Sequence, residues 1–188
     1  MKKTAVAVVC TLLAGSALAA PESYTIDSRH TYPIFEVNHL GFSTQRGRFN
    51  KAAGKITLDR AAKSGSVELT IDTASIDMGA EDWDKHMRSD EFFNVEKFPT
   101  MSFKSTRLVF DGDKLIGAEG NFTLLGVTKP VKLAVTGLNC GVHPINKKNV
   151  CGADTSTTIK RSEFGMTKYV PGVGDEVKIF VPVEAVKD

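Results

Sequence analysis

Asp82-Trp83-Asp84-Lys85-His86-Met87-Arg88-Ser89-Asp90-Glu91-Phe92-Phe93-Asn94-Val95-Glu96-Lys97-Phe98-Pro99-Thr100-Met101 is a stretch that breaks the strand-like alternation of the sequence around it. Trp83 and Met87 stand four apart and so share one helical face. Glu81, Asp82 and Asp84 come early, and Lys85, His86 and Arg88 late, which is the order a helix dipole favours. Ser89 is placed to cap a second short turn, and Pro99 stops any helix. The spacing therefore predicts one short helical segment over about 80–97. Phe92, Phe93 and Phe98 make that segment too apolar to stand alone in water. It needs a surface to cover, and among strands the natural one is the mouth or flank of a barrel.

Outward from this segment, short alternating runs follow one another between Gly, Pro, Asn and Asp. Towards the N-terminus, strands are expected from Tyr24 to Asp27, Ile34 to His39, up to Phe49, Gly54 to Asp59, and Val67 to Asp72. Towards the C-terminus they are expected from Met101 to Phe110, from Ile116 to Leu124, through Val131, Leu133 and Val135, then Ala153 to Lys160 and Val177 to Val186. Met101 and Phe103 are in one phase and Leu108 and Phe110 in the other, which predicts a bulge near Ser105 to Arg107. Asp111-Gly112-Asp113 is a hairpin turn. On the next run Ile116, Ala118, Phe122 and Leu124 share a face. No βαβ alternation, repeat or second apolar core interrupts the pattern, so the fold class is all-β, a single antiparallel domain. Roughly eight strands closed into a barrel leave an interior that side chains fill or that holds one small apolar ligand. Phe35, Phe49, Phe103 and Phe122 fall on the inferred inner face, with Gly47, Gly54, Gly117 and Gly120 among them. Flat walls with missing side chains suit a cavity; the same composition also suits an ordinary aromatic core.

Residues 1–19 read as an export leader: Lys2 and Lys3, an apolar run from Ala5 to Ala14, and the small-residue site Ala17-Leu18-Ala19. The run is too short for a membrane span. The folded domain is then 20–188, in a periplasmic or secreted protein with no stable membrane insertion, as monomer or homodimer. Loss of Lys2 and Lys3 brings the formal charge from +2 to zero, so no nucleic-acid partner is expected. Cys10 leaves with the leader. Cys140 and Cys151 then bracket the polar loop of His143, Pro144, Asn146, Lys147, Lys148 and Asn149, and in an oxidising compartment they read as one disulfide.

Catalytic chemistry finds little support. His30, His39 and His86 show no metal-ligand spacing and sit on different elements. Each reads more simply as a half-buried histidine bonded to backbone or carboxylate, with Asp27 and Asp84 nearby in sequence. Asp27, Ser28 and His30 are too close along one strand to converge as a triad, and there is no G-x-S-x-G elbow. The expectation is no enzyme, no metal and no cofactor.

Several stretches together resemble one family. They are Asp27-Ser28-Arg29-His30-Thr31, His39-Leu40-Gly41, Gly47-Arg48-Phe49, Ser75-Ile76-Asp77, Asp84 through Val95, Phe98 through Ser105, Gly120 through Val131, and Ile159 through Met166. In order and spacing they resemble the YceI-like family of exported polyisoprenoid-binding proteins, over nearly all of 20–188. The resemblance implies a lipocalin-like barrel whose pore holds a long isoprenoid such as a polyprenyl phosphate or a quinone tail, without enzymatic activity. Trp83 stands where an Arg is common in the family, and Leu125 where Arg or His is common; both put an apolar group in place of a polar one. The candidate pore lining and mouth are Phe35, Val37, His39, Phe49, Leu69, Ile71, Trp83, Phe92, Phe93, Phe103, Phe122, Arg161 and Phe164. Arg161, with Lys160, meets a phosphate head group or simply forms a solvated strand end. The rival reading is a solid β-barrel that serves as an interaction module without a lipid.

Overall fold

Residues 20–188 are described by the structure, a computed structural model; the expected leader lies outside the described residues. The strands are β1 (Glu22–Ile26), β2 (Ile34–His39), β3 (Ser43–Phe49), β4 (Ala52–Asp59), β5 (Ser64–Asp72), β6 (Ile76–Asp77), β7 (Thr100–Asp111), β8 (Lys114–Leu124), β9 (Val127–Val142), β10 (Asn149–Lys160) and β11 (Val173–Lys187). One helix, α1 (Glu81–Arg88), sits between β6 and β7.

These strands form eight staves of a closed antiparallel barrel. β1 and β2 both pair with β11; β4 pairs with β1 as β3 pairs with β2; and β5 pairs with β4 as β6 pairs with β3. Each of those three couples is one long stave with a break in it. β7 to β11 supply the other five, and the pairing of β1 with β11 closes the ring. The ring β1-β4-β5-β7-β8-β9-β10-β11 closes on itself and has no edge, while β2, β3 and β6 extend it from β11, with β6 paired to β3 alone.

The break between β1 and β2 falls where β11 changes partner. Val173 to Phe180 of β11 lie on β2, and Ala185 to Lys187 lie on β1. Between them Thr31, fully buried, accepts from the Glu184 N–H at 3.0 Å and donates to the Glu184 carbonyl at 3.2 Å; Asp27 N–H reaches the same carbonyl at 2.9 Å. A threonine hydroxyl thus stands in for the missing strand, satisfying backbone groups that would cost free energy if buried unpaired.

The bulge expected near Ser105 to Arg107 is present: Ser105 faces Gly120 and Arg107 faces Glu119, leaving Thr106 as the extra residue. A second bulge corrects the reading of β8. Val109 pairs with Gly117 and Phe110 with Leu115, so Ile116 is unopposed and 43% exposed. One inserted residue flips the phase, and Leu115 takes the inner position expected of Ile116.

Helix α1 is also shorter than expected. The Ser89 hydroxyl donates to the His86 carbonyl at 2.7 Å, ending the helix, and accepts from the Glu91 N–H at 3.4 Å, capping the short turn that follows as expected. Residues 89–98 continue as turns, with Asn94 at a positive φ of 44° and its carbonyl accepting from the Phe98 N–H at 2.8 Å. The acid-first, base-last order is as read. Met87 faces inward with Trp83, and Phe92 and Phe93 are buried.

Candidate functional site

The inward faces of the staves leave one elongated cavity of about 330 Å³, within the size range of ligand pockets. On β10 it is lined at every second residue, by Cys151, Ala153, Thr155, Thr157 and Ile159. At a rise of ~3.3 Å per residue that is ~26 Å of strand, so the cavity runs along the barrel and not across it. At one end lie Tyr24, Leu58, Leu108 and Ala185, all deeply buried. Burial, helped by its bond to the Glu22 carboxylate, pushes the Tyr24 hydroxyl up to about 12, so it stays neutral.

The other end is the mouth. Among the lining side chains only His86 and Tyr169 are exposed. Most polar groups on the wall gather there: His39, Gln45, His86, Arg161 and Tyr169. Phe92 lies between the two exposed rings, 5.1 Å from His86 and 6.2 Å from Tyr169, centroid to centroid. Glu91 ties the same elements together. One carboxylate oxygen sits 3.0 Å from His86 Nε2 and accepts from the Tyr169 hydroxyl at 3.4 Å; the other lies 2.6 Å from Lys168 Nζ. The bonds to His86 and Lys168 pull the Glu91 carboxyl down to about 2. A carboxylate strap therefore joins the α1 segment to the loop before β11, across the opening.

Phe35, Val37, His39, Phe49, Leu69, Ile71, Trp83, Phe92, Phe93, Phe103, Phe122 and Arg161 all lie on the wall of this one cavity. Phe164 does not. It is buried behind Phe122, ring against ring at 5.6 Å, and packs the wall from outside. Arg161 is neither a solvated strand end nor a free cation. It is 3% exposed, and its guanidinium donates to the carbonyls of Gly174, Met166, Lys168 and Val173 at 2.8–3.0 Å. Burial lowers its pKa, with Asp175 opposing that shift. Its donors are directed at the backbone of the mouth loop, which it holds in shape. The glycines need correction too. A Cβ at Gly120 would collide with the Lys104 carbonyl and come within 2.7 Å of Phe103 Cζ; one at Gly47 would strike Met78 and Phe35. Gly54 and Gly117 likewise face backbone carbonyls. Gly54, Gly117 and Gly120 allow close approach of strands, Gly47 makes room for the Met78 and Phe35 side chains, and none of the four lines the cavity.

His30 and His86 find local carboxylate partners, but both are exposed and not half-buried as expected. His30 lies 2.9 Å from Asp27, but His86 takes Glu91 and not Asp84. Among the described residues no three His, Cys, Asp or Glu side chains group as a metal site, and no helix is long and apolar enough to cross a membrane. Cys140 and Cys151 are bonded across the β9–β10 pair. Sequence reading named only about a quarter of the wall. Val131, Leu133, Val135, Val177, Ile179, Val181 and Val183 line it, and their alternation was a sufficient signal. Met166 and Tyr169 lie in an aperiodic loop that gave none.

A closed antiparallel barrel around one apolar cavity is the class defined by this geometry. Residues 24–185 match the model of the YceI-like domain, and the chain belongs to that family. It is 38% identical over 175 residues to a UPF0312 protein of Pectobacterium carotovorum subsp. carotovorum, covering 93% of this chain and 90% of that one. Among solved structures it resembles BcnA of Burkholderia cenocepacia, with TM-score 0.74 and 23% identity over 85% of this chain and 98% of that one. It also resembles a polyisoprenoid binding domain from Saccharophagus degradans, with TM-score 0.66 and 15% identity over 89% of this chain and 99% of that one.

Proposed function

We propose that this chain is an exported carrier or binding protein that holds a long isoprenoid lipid, such as a polyprenyl phosphate or a quinone-type chain, threaded along the barrel. The observation that carries the reading is the elongated apolar cavity with its single polar mouth. A branched, mostly linear hydrocarbon fits such a space. Each methylene it buries contributes ~0.8 kcal/mol before the costs of association. Affinity then climbs with isoprene count until the cavity is full, and apolar walls discriminate length far better than head group. The polar end stays near His86 and Tyr169; Arg161, held by carbonyls, is not available to pair with it. The wall offers hydrocarbon contact and no nucleophile–base pair, which favours binding over catalysis. A solid interaction module is disfavoured by the cavity itself. Having the polyisoprenoid binding domain of Saccharophagus degradans among its structural relatives agrees with this reading.

Filling the cavity tests it. Gly120 is the wrong place, because any side chain there meets backbone. Ala118 is buried on the cavity wall and points inward. Ala118→Phe is expected to fold and to lose affinity for the longer members of a prenyl series by tenfold or more. A folded Ala118→Phe protein that binds the whole series like wild type contradicts the reading.

A further inference from the structure

Large apolar side chains stand exposed at the mouth itself. Leu40 and Phe42 are 52% and 88% exposed on the β2–β3 turn, and Tyr169 is 50% exposed on the loop before β11. These two loops form one rim: Leu40 N–H donates to the Gly172 carbonyl at 2.9 Å, and His39 pairs with Val173. The rim is almost free of charge. Residues 38–45 contain no Asp, Glu, Lys or Arg, and 165–174 contain only Lys168 and the strand residue after them is Asp175. Lys168 is held by Glu91.

We propose that this rim docks on the surface of a lipid bilayer, with Phe42 and Leu40 entering the boundary between head groups and acyl chains and the cavity mouth turned towards the lipid. The inference rests on the carrier reading above. Two observations select a bilayer as the occupant. The rim is continuous with the cavity, since Tyr169 belongs to both, so a lipid leaving the cavity there passes from one apolar medium to another without crossing water. An uncharged tip can enter the interface without stripping water from an ion, and aromatic side chains favour that depth. The exposed tip at the opposite end, Val142 and Ile145, is flanked by Lys147 and Lys148, and no exposed side chain lines the cavity there.

Flotation of the exported protein with phosphatidylcholine vesicles tests the proposal. Wild type is expected to float with the vesicles, equally at low and high salt, because apolar insertion is not screened. Phe42→Glu is expected to lower the partition coefficient by ~tenfold or more, given the apolar area withdrawn from water. Leu40→Ser should lower it less, and Ile145→Glu should leave it unchanged. Absence of wild-type flotation, flotation unaffected by Phe42→Glu and Leu40→Ser, or loss in Ile145→Glu overturns the docking surface. A wild-type dimer in solution that Phe42→Glu dissolves would assign the rim to a second copy and overturns it too. Prenyl-chain binding measured without vesicles separates the two claims. If it persists while flotation fails, docking alone is wrong; if it is absent while flotation holds, the carrier reading is wrong.

Discussion

Glu91 shows how one side chain can govern an opening. It accepts from the α1 segment and from the loop before β11, and its carboxyl is held at about 2 by those bonds. A carboxyl whose folded pKa is depressed contributes stability that is present above its ordinary value of 4.5 and is lost as pH falls towards 2. Glu91→Gln should therefore melt below wild type at neutral pH, and the gap should close as pH falls from about 4.5 towards 2. Parallel thermal melts across that range check this; a gap independent of pH would remove Glu91 from the strap. Arg161 works beside it through carbonyl bonds, and its burial explains why a lysine would not replace it: a point charge cannot span four acceptors. The inward phenylalanines, Phe35, Phe49, Phe103 and Phe122, were legible in the sequence because burial on a strand imposes a period of two. The strap was not. Glu91 and Tyr169 are 78 residues apart, and neither lies in a periodic run.

Among the elements, the staves that break are the informative ones. β1 to β5 read from the sequence as separate short strands, and they are, whereas the two-residue β6 was not read as a strand at all; that β1 and β2, β3 and β4, and β5 and β6 each continue one stave depends on pairing, which alternation alone does not encode. The bulge at Thr106 was legible because a phase slip shows within one strand, whereas the one at Ile116 was hidden. There Leu115 and Ile116 are both large and apolar, so composition could not say which faces in. The β9–β10 hairpin is long and ends in the exposed loop 143–148, and its two cysteines sit in register. Closing a loop of this size stabilises by roughly 3 kcal/mol through the unfolded chain. Labelling under denaturing, non-reducing conditions should find no free thiol in the protein spanning residues 20–188, and reduction should lower its denaturation midpoint. Two labelled thiols would contradict the pairing.

For the whole molecule, closure is what turns eight amphipathic staves into a container. The barrel class was legible because about nine or ten short strands follow one another with no βαβ alternation and no second apolar core. The cavity was not, since an aromatic core and a lined cavity share one composition; of the glycines that suggested it, Gly54, Gly117 and Gly120 mark close strand contacts and Gly47 makes room for Met78 and Phe35. What decides between them is the space left along ~26 Å of β10 after packing. That space is the central claim, and its contents can be weighed. Organic extraction of the protein purified without detergent from its own cells, followed by mass spectrometry against the denatured, refolded chain, measures them directly. The expected result is a prenyl-bearing lipid approaching one per barrel whose longer-chain members are depleted in Ala118→Phe. A barrel that is empty, or that carries the same lipids in the same amounts after Ala118→Phe, would contradict it.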